Sequence, residues 1–593
     1  MKRTKIEEVT KFLVNTALGR EKADLAVKGG TLVNVNSREL LENVDVAVKK
    51  DRIAVVGKAD HTIGNGTIVI DAKGKYLAPG FLDGHVHVES SMLTLTRFAS
   101  AVLPHGTTAV FIDPHEIANV LGLKGIKFMM EEAKCLPLKV FVCVPSCVPA
   151  APNFETSGAE LTDENIAKAL KWDCVIGLGE VMNYPGVLNC DDKMHREIQA
   201  ALRLGKVVEG HANSLLNAEL SAYAAAGISS CHESTRAIDG VQRLRLGMWT
   251  MIREASAWRD LAQVIKCVVE YGLDSRHVCL VTDDRHCETL WKEGHIDGVV
   301  RRAIENGVDP VVAVQMATLN TAEHFGVSRD IGSIAPSKCA DILVLDDLTK
   351  VKVNTVIVDG TVVAKNGKLL MELDSPRYPD TFKKTVRLKR PVKPEDFKLK
   401  APSKKRKVRV HVIGVVEGKA ITKHLQRDLP VKNGEVLLSI EKGVVKVAVV
   451  ERHKRTGNIS VGFVEGFGLK KGAVASSVAH DSHNIIVTGA NDSDMTVAVN
   501  TLAEIGGGII AIENGKPIGL VELPIAGLVS DEMPKIVCRK IEKLQKAWKK
   551  LGCTIGSPFM SLSLLVLPVI PELRITDKGL VDVKEFKFIP LFV

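Results

Sequence analysis

The feature that most constrains the fold is a series of eight short apolar segments, most of them separated by stretches of helical periodicity. They span residues 77–88, 107–113, 140–145, 175–181, 207–211, 228–232, 248–253 and 278–283. Eight strand–helix units in about 250 residues is the length typical of a (β/α)8 barrel. A doubly wound parallel sheet is the alternative, but it would need a glycine-rich phosphate loop after its first strand, and the sequence has none there. We therefore predict an α/β fold built on a TIM-type barrel.

The carboxyl ends of these segments carry side chains that bind metal ions. His85 and His87 end the first segment, and alternate residues of a strand point the same way, roughly 6.5 Å apart. Two imidazoles so placed can converge on one ion. The fourth, fifth, sixth and eighth segments end in side chains of the same kind, namely Glu180, His211, His232 and Asp283. Because the carboxyl ends of barrel strands open onto one site, the pattern predicts a metal centre there.

The remaining chain divides into further units around this barrel. At 593 residues it is too long for one compact core. Residues 1–76 and 326–370 are rich in short strands, and we predict that they form one flanking β-sheet domain beside a barrel of residues 77–325. Residues 371–407 are rich in proline and lysine and are predicted to be a linker. Residues 408–593 are predicted to form a C-terminal α+β domain.

Composition argues against nucleic acid and membrane partners. The net charge of +9 is mild for this length, aromatic residues make up only 4%, and the basic run at 403–410 is interpreted as solvated lysines of the linker. The amino terminus lacks an apolar leader, and the longest apolar run, 562–570, contains serine and proline. Twelve cysteines without a C-x-x-C pair favour reduced thiols. We therefore expect a cytoplasmic protein.

Several motifs resemble a known family. The run P-G-F-L-D-G-H-V-H, together with His211, His232 and a T-D pair at the last strand, resembles the amidohydrolase superfamily. More closely, H-V-H-V-E-S-S-M, D-P-H-E-I-A-N-V, G-L-G-E-V-M-N-Y-P-G-V and T-D-D-R-H resemble the bacterial and archaeal adenine deaminase family, and A-H-D-S-H-N-I-I extends the resemblance into the C-terminal unit. The resemblance implies conversion of adenine to hypoxanthine and ammonia in purine salvage. It also implies a small-molecule substrate, and we expect a homo-oligomer.

The resemblance also implies which residues hold metal. It makes His85, His87, His211, His232 and Asp283 ligands. Binuclear members of the superfamily commonly carry a carbamylated lysine on the fourth strand, but Glu180 stands there in this chain. A glutamate has two oxygens, so we expect it to bridge two divalent metal ions, manganese or iron rather than zinc. The alternative is a single ion, with Glu180 outside its coordination sphere, where it orients one of the ligands.

The chemistry of deamination assigns roles to the remaining polar residues. Replacing an exocyclic amine needs a hydroxide for attack on C6, and a metal supplies it by lowering the pKa of bound water from about 15.7 to about 7. Asp283, beside that water, is the natural proton acceptor and later donor. Other polar residues are candidates to hold the ring or protonate it: catalytic candidates Glu89 and His115, and substrate-binding candidates Asp113, Glu116 and Asp284. The sequence alone does not assign these roles to individual residues.

Several alternatives stay open at this point. A ring-amide hydrolase acting on a hydantoin or dihydropyrimidine is the second functional hypothesis, although such enzymes favour lysine where Glu180 stands. A barrel that has lost its metal is the non-enzymatic alternative, but its ligand set should then have gaps. Arg253 and Glu254 are predicted to form a structural ion pair. On a continuing strand Asp284 would point away from the site. The polar run 480–484 forms either a turn or a cover over the barrel mouth.

Overall fold

The centre of the molecule is a barrel of eight parallel strands. The structure is a computed structural model that describes residues 4–213, 215–402 and 406–593. The barrel strands are, in chain order, Phe81–Val86, Thr107–Ile112, Lys139–Val144, Val175–Val181, Val207–Gly210, Ser230–Cys231, Trp249–Arg253 and Val278–Val281. The first five pair in order as one parallel sheet, and the last three form a second one. The predicted TIM-type α/β barrel is therefore confirmed.

Backbone hydrogen bonds join the two sheets at both seams. The Ser229 N–H donates to the Val208 carbonyl at 3.0 Å, which connects the fifth and sixth strands. The Asp283 N–H donates to the His85 carbonyl at 2.9 Å, just beyond the end of the eighth strand. This second bond closes the barrel and brings the carboxyl ends of the first and eighth strands together. The two strand ends that carry predicted metal ligands are thus neighbours.

Helices surround the strands, as the helical periodicity between the apolar segments predicts. They are Leu95–Val102, His115–Leu121, Leu123–Ala133, Asp163–Ala169, Tyr184–Leu188, Asp192–Arg203, Asn217–Ala225, Ala237–Arg245, Leu261–Val264, Lys266–Val269, Cys287–Glu293, Ile296–Glu305, Pro310–Met316 and Leu319–His324. Local signals start several of them. The Asp309 side chain accepts the N–H of Val311 and is followed by Pro310, which suits a first helical position because proline has no N–H to satisfy.

The first apolar segment is divided between two sheets. Tyr76–Pro79 pairs antiparallel with Ile342–Asp347 in the flanking sheet, and Phe81–Val86 belongs to the barrel. Gly80 lies between them, where a Cβ would come within 2.2 Å of the Thr108 Oγ1 atom, so the chain crosses here only with glycine. His87 lies one residue beyond the barrel strand, at the start of the 3-10 helix Val88–Ser91. The predicted single strand 77–88 was therefore too long at both ends.

Strands from before and after the barrel form one flanking sheet. They are Leu25–Asn34, Glu39–Lys49, Arg52–Gly57, Ile68–Asp71, Tyr76–Pro79, Ile342–Asp347, Lys352–Val358, Thr361–Lys365 and Lys368–Leu369. The amino-terminal helix Thr10–Ala17 packs on the strand Arg52–Gly57. The apolar side chains of this sheet form their own core, which includes Val27, Val46 and Ile342.

The C-terminal residues form a second large sheet with helices on it. Its nine strands are Lys407–Val415, Thr422–Lys432, Glu435–Val436, Val444–Val450, Ile459–Glu465, Ala473–Ser476, Ile485–Gly489, Gly508–Glu513 and Lys516–Glu522. Three helices follow or lie between them, Asp492–Ile505, Pro534–Lys550 and Pro558–Ser563. A small antiparallel sheet ends the chain with Leu573–Thr576, Gly579–Asp582 and Lys587–Ile589. We refer to residues 408–593 as the C-terminal domain.

The C-terminal domain packs directly against the mouth of the barrel. The Ser530 N–H donates to the Met92 carbonyl at 2.9 Å, and the Thr94 N–H donates back to the Ser530 carbonyl at 3.0 Å. The Thr156 N–H donates to the Asp577 carboxylate at 2.9 Å. One apolar cluster runs through both parts of the molecule. The two units therefore share a core, which positions C-terminal side chains near the carboxyl ends of the barrel strands.

The segment predicted to be a linker is packed on the surface of its neighbours. It contains the short helix Asp380–Lys383 and the 3-10 helix Pro394–Phe397, and the side chains of Tyr378, Phe382 and Phe397 are buried. Residues 403–405 of the basic run lie outside the described residues. Within the described part of the chain, no helix combines the length and the apolar character needed to cross a bilayer.

Candidate active site

The predicted metal ligands converge at the carboxyl end of the barrel. Three overlapping groups of three residues each have ligand atoms within 4.8 Å of one another. Together the groups contain His85, His87, Glu180, His211, His232 and Asp283. All of these side chains are buried except that of His211, which is partly exposed. They come from the ends of the first, fourth, fifth, sixth and eighth strands, because parallel strands of a barrel end on the same side.

Glu180 lies in the middle of the histidines. Its Oε1 atom is 3.1 Å from the Nδ1 atom of His115 and 3.5 Å from the Nε2 atom of His87. Its Oε2 atom is 2.5 Å from the Nδ1 atom of His211 and 3.0 Å from the Nε2 atom of His232. The two carboxylate oxygens therefore face two different groups of histidines.

Asp283 occupies a turn that follows the eighth strand. The strand ends at Val281, and Asp283 adopts a φ of 57°, which is uncommon for a residue other than glycine. The turn places its Oδ1 atom 3.2 Å from the Nε2 atom of His87 and 3.6 Å from that of His85. A backbone conformation of this kind is retained where the surroundings impose it, often at functional sites.

The same turn directs Asp284 toward the site. Its Oδ1 atom accepts a hydrogen bond from the Ser90 hydroxyl at 2.5 Å. Its carboxylate lies close enough to His87 and Asp283 for the three side chains to bind one metal ion. The expectation that Asp284 points away was therefore wrong. It assumed that the strand continued through both aspartates, whereas the strand stops at Val281.

The donor set fits a divalent metal ion. The Nε2 atom of His85 is buried and has no hydrogen-bond partner among the described residues. His87 donates from Nδ1 to the Asp113 carbonyl at 2.9 Å, which directs its Nε2 atom at the carboxylates of Glu180 and Asp283. The facing nitrogens of His211 and His232 are 3.2 Å apart. Imidazole nitrogens with free lone pairs and carboxylate oxygens are the ligands that zinc, iron and manganese bind.

The electrostatics keep the two central carboxylates ionised. Burial would raise the pKa of Glu180, but the positive charge of His211 and hydrogen bonds from neighbouring histidines hold that pKa well below its usual range. Burial likewise opposes ionisation of Asp283, yet the neighbouring imidazoles of His85 and His87 and the charge of Arg253 hold its pKa well below the ordinary value. Two negative charges therefore lie inside a ring of imidazoles, an environment suited to cations.

Asp113 and His115 lie directly behind these ligands. The Oδ2 atom of Asp113 accepts the backbone N–H of Glu180 at 2.9 Å, and its carbonyl accepts from His87. Asp113 thus orients two predicted ligands at once. His115 contacts Glu180 through Nδ1, and its Nε2 atom is 3.3 Å from the Oε1 atom of Glu116.

The C-terminal domain contributes side chains to this site. The Nδ1 atom of His480 lies 2.5 Å from the Oε1 atom of Glu116, and His483 donates from Nε2 to the other oxygen of the same carboxylate. The Ala479 N–H donates to Nδ1 of His483, which leaves the proton of that ring on Nε2. Asp481 is buried, with its Oδ1 atom 4.0 Å from the Nε2 atom of His115. Residues 480–484 therefore cover the barrel mouth.

The sequence left two alternatives for these C-terminal side chains, a turn or a cover over the barrel mouth. The available signal was the dense polar run between two apolar strands, because such a run is costly to bury unless its groups are paired. Its partner, Glu116, is hundreds of residues away in the chain. Only the packing of the C-terminal domain against the barrel brings the two together.

Glu89 presents one free carboxylate oxygen. Its Oε1 atom accepts the Ile117 N–H at 3.0 Å, near the start of the helix His115–Leu121. Its Oε2 atom is buried and has no hydrogen-bond partner in the described part of the chain. Burial raises the pKa of Glu89 to about 7.

Arg253 and Glu254 do not form the predicted ion pair. Arg253 is buried, contacts Glu233 through Nη1, and places the same atom 3.2 Å from the Oδ2 atom of Asp283. Glu254 instead lies 2.9 Å from the Nε atom of Arg302. The strand ends at Arg253, and Glu254 beyond it has different neighbours. Arg253 is thus a residue of the site that sequence reasoning misassigned.

Comparisons with known proteins agree with this site. Residues 76–363 match the model of the amidohydrolase family, and residues 419–587 match that of the adenine deaminase C-terminal domain. The ligand set at the end of a (β/α)8 barrel, together with the first match, defines a hydrolase of the amidohydrolase class.

Curated relatives narrow the class further. Adenine deaminase of Moorella thermoacetica is 52% identical over 590 residues, which cover 99% of both chains. Adenine deaminase of Mesorhizobium japonicum is 50% identical over 99% of this chain and 97% of its own, and that of Clostridium botulinum is 48% identical over 99% and 98%. The chain belongs to the adenine deaminase family, and the resemblance stated from the motifs is confirmed.

Proposed function

We propose that this chain catalyses the hydrolytic deamination of adenine to hypoxanthine and ammonia, a reaction of purine salvage. The observation that carries the proposal is identity of 52% over 99% of the chain to an adenine deaminase. The six ligand positions at the barrel mouth supply the site that such a reaction needs. The ring-amide hydrolase hypothesis is disfavoured because Glu180 stands where those enzymes carry lysine, and because the C-terminal half matches a domain of adenine deaminases.

The site is proposed to hold two divalent metal ions, manganese or iron, with Glu180 between them. His85, His87 and Asp283 would hold one ion, and the histidines beyond the other oxygen of Glu180 would hold the second. The two carboxylate oxygens of Glu180 face different histidines, and this supports a metal ion on each side of Glu180. When bound, the ions lower the pKa of a water molecule to about 7 and so provide a hydroxide at neutral pH.

The residues of the chain manage the protons of the reaction. Asp283 takes a proton at its carboxylate from the attacking water and later returns one to the leaving amine. Arg253, 3.2 Å from Oδ2 of Asp283, orients that carboxylate. Glu89 holds a proton at Oε2 for a ring nitrogen of adenine, since this oxygen, unlike Oε1, has no hydrogen-bond partner among the described residues.

The other candidate residues mainly position their neighbours and take less part in proton transfer. Both oxygens of Glu116 are engaged by His480 and His483, so this carboxylate fixes the cover of the site instead of binding the ring. Asp113 holds the backbone of Glu180. His115 lies between the carboxylates of Glu116 and Glu180. It therefore connects the cover of the site to a predicted metal ligand. The C-terminal segment that closes the barrel mouth excludes bulk water from the reaction.

The function is tested by incubating purified protein with adenine, adenosine, cytosine and dihydrouracil while ammonia release is followed. We expect ammonia from adenine and little from the other three compounds. Faster turnover of adenosine or of the cyclic amide would contradict the proposal. The expected homo-oligomer and the cytoplasmic location stay predictions, and light scattering after size-exclusion chromatography tests the first.

A further inference from the structure

Two free cysteines meet where the C-terminal domain packs on the barrel. Cys287 begins the helix Cys287–Glu293, and Cys538 lies in the first half of the helix Pro534–Lys550. Their Sγ atoms are 2.9 Å apart, and both side chains are buried. The two residues are 251 positions apart in the chain, so only the docking of the domain brings them together.

Further contacts hold the two helices side by side. The Nζ atom of Lys292 lies 3.0 Å from the Oε1 atom of Glu542, and Gln545 donates from Nε2 to the Oε1 atom of Glu288 at 3.3 Å. Positions 538, 542 and 545 are four and three residues apart, so they share one face of their helix. The approach of the two sulfur atoms is therefore supported along the length of the helix pair.

The sulfur atoms are placed for a covalent bond. The S–S distance of a disulfide is about 2.05 Å, so the two atoms need to approach by only about 0.9 Å. The Cys287 thiol donates to the Pro534 carbonyl at 3.4 Å, which leaves a sulfur lone pair directed at Cys538. The contact with Cys538 and burial raise the pKa of Cys287. Both cysteines therefore persist as thiols until an oxidant reaches them.

An open groove gives small molecules access to this pair. Its volume is about 670 Å³, and Cys287 lines it together with Trp291, Met533 and Pro534. The side chains of Trp291 and Met533 are half-exposed, so the groove is continuous with the solvent. Pockets of about 300 to about 1,000 Å³ admit small organic molecules, and a peroxide is smaller than those.

We propose that Cys287 and Cys538 form a site of reversible oxidation, at which hydrogen peroxide converts the two thiols into a disulfide between the barrel and the C-terminal domain. Peroxide transfers one oxygen to the first thiol, which becomes a sulfenic acid, and its other oxygen leaves as water. The second thiol attacks that sulfur, the S–S bond forms, and a second water leaves. A small thiol reverses the bond by exchange. The cross-link fixes the C-terminal domain, and with it the cover formed by residues 480–484, on the barrel mouth.

The test treats the full-length protein with hydrogen peroxide and maps its disulfides by mass spectrometry of unreduced peptides. We expect a peptide pair joined through Cys287 and Cys538, and a melting temperature at least about 5 °C higher, because closing so long a loop restricts the unfolded chain. Dithiothreitol should remove both changes. Cys538→Ala should show neither. The matched control is Cys553→Ala, which removes a buried cysteine just after the same helix and should keep both.

The exposed thiol of Cys135 shows when the oxidant is sufficient. A wild-type protein in which Cys135 is oxidised while Cys287 and Cys538 stay unlinked overturns the proposal. An equal rise in the melting temperature of Cys538→Ala also overturns it, because the rise would then come from another oxidised group. If that variant does not fold, the peptide map of the wild type before and after peroxide still decides the question.

Discussion

The Nδ1 atom of His480 lies 2.5 Å from the Oε1 atom of Glu116, and this contact joins the C-terminal domain to the helix that follows the second barrel strand. His483 donates to the second oxygen of the same carboxylate. All three side chains are buried. Neither the carboxylate nor the histidines reach water, so each depends on the other as its polar partner when the domain is docked.

Loss of this carboxylate should weaken the docking of the C-terminal domain. We expect Glu116→Ala to lower the free energy of unfolding by about 3 kcal/mol, because it leaves buried histidines without their partner. Denaturant unfolding followed by circular dichroism measures this change. Glu131→Ala is the control, since Glu131 is exposed on the next helix and pairs with Lys134 at the surface. Equal losses in the two variants would mean that the buried contact stabilises nothing specific.

The proton shuttle is tested by comparing the two adjacent aspartates. Asp283→Asn should fold normally and reduce kcat by at least ~10²-fold, the typical effect of losing a general acid or base. Asp284→Asn should reduce it less, because Asp284 accepts a hydrogen bond from Ser90 and is less buried than Asp283. Steady-state kinetics with adenine give the ranking. The reverse order would assign the proton transfer to Asp284.

The bridging role of Glu180 is tested by metal analysis. Active protein should contain about two equivalents of divalent metal per chain, and Glu180→Gln should lose a clear part of it because amides bridge poorly. Glu197→Gln is a suitable control, since Glu197 is a buried glutamate on the outer helix Asp192–Arg203. A fully active wild type with one equivalent per chain rules the bridge out.

Glu197 should also make stability depend on pH. Its side chain is buried, Lys193 lies 3.7 Å away, and burial raises the pKa of Glu197 to about 8. The folded protein therefore binds this proton more tightly than the unfolded chain, in which the pKa is near 4.5. Its contribution to stability is full below the unfolded pKa and is lost as the pH rises through the folded one.

The expected result is a stability difference that grows with pH. Glu197→Gln removes the titration, so its melting temperature relative to wild type should increase between about pH 4.5 and about pH 8, the unfolded and folded pKa values, and stay level above that range. Thermal unfolding of both proteins across that range measures the difference. A difference that stays constant, or one that shrinks as the pH rises, would show that Glu197 is already ionised in the folded protein.

Much of the barrel, and the convergence of the predicted metal ligands on one site, could be predicted from the sequence. Apolar segments of strand length recur with helical stretches between them, and local periodicity of this kind does not depend on distant parts of the chain. In a parallel barrel the carboxyl ends of all strands face one site, so residues such as His211 and His232 could be assigned to it from their place at a strand end.

Tertiary structure alone decided which side chains contact each other. The turn at Asp283 brings Asp284 inward, and Arg253 pairs with Glu233 and Asp283 instead of its neighbour Glu254. His480 meets Glu116 only because the C-terminal domain packs on the barrel mouth. Periodicity reports the face on which a residue lies, whereas its partner depends on where strands stop and how distant units dock. Those are properties of the packed chain, which no local pattern encodes.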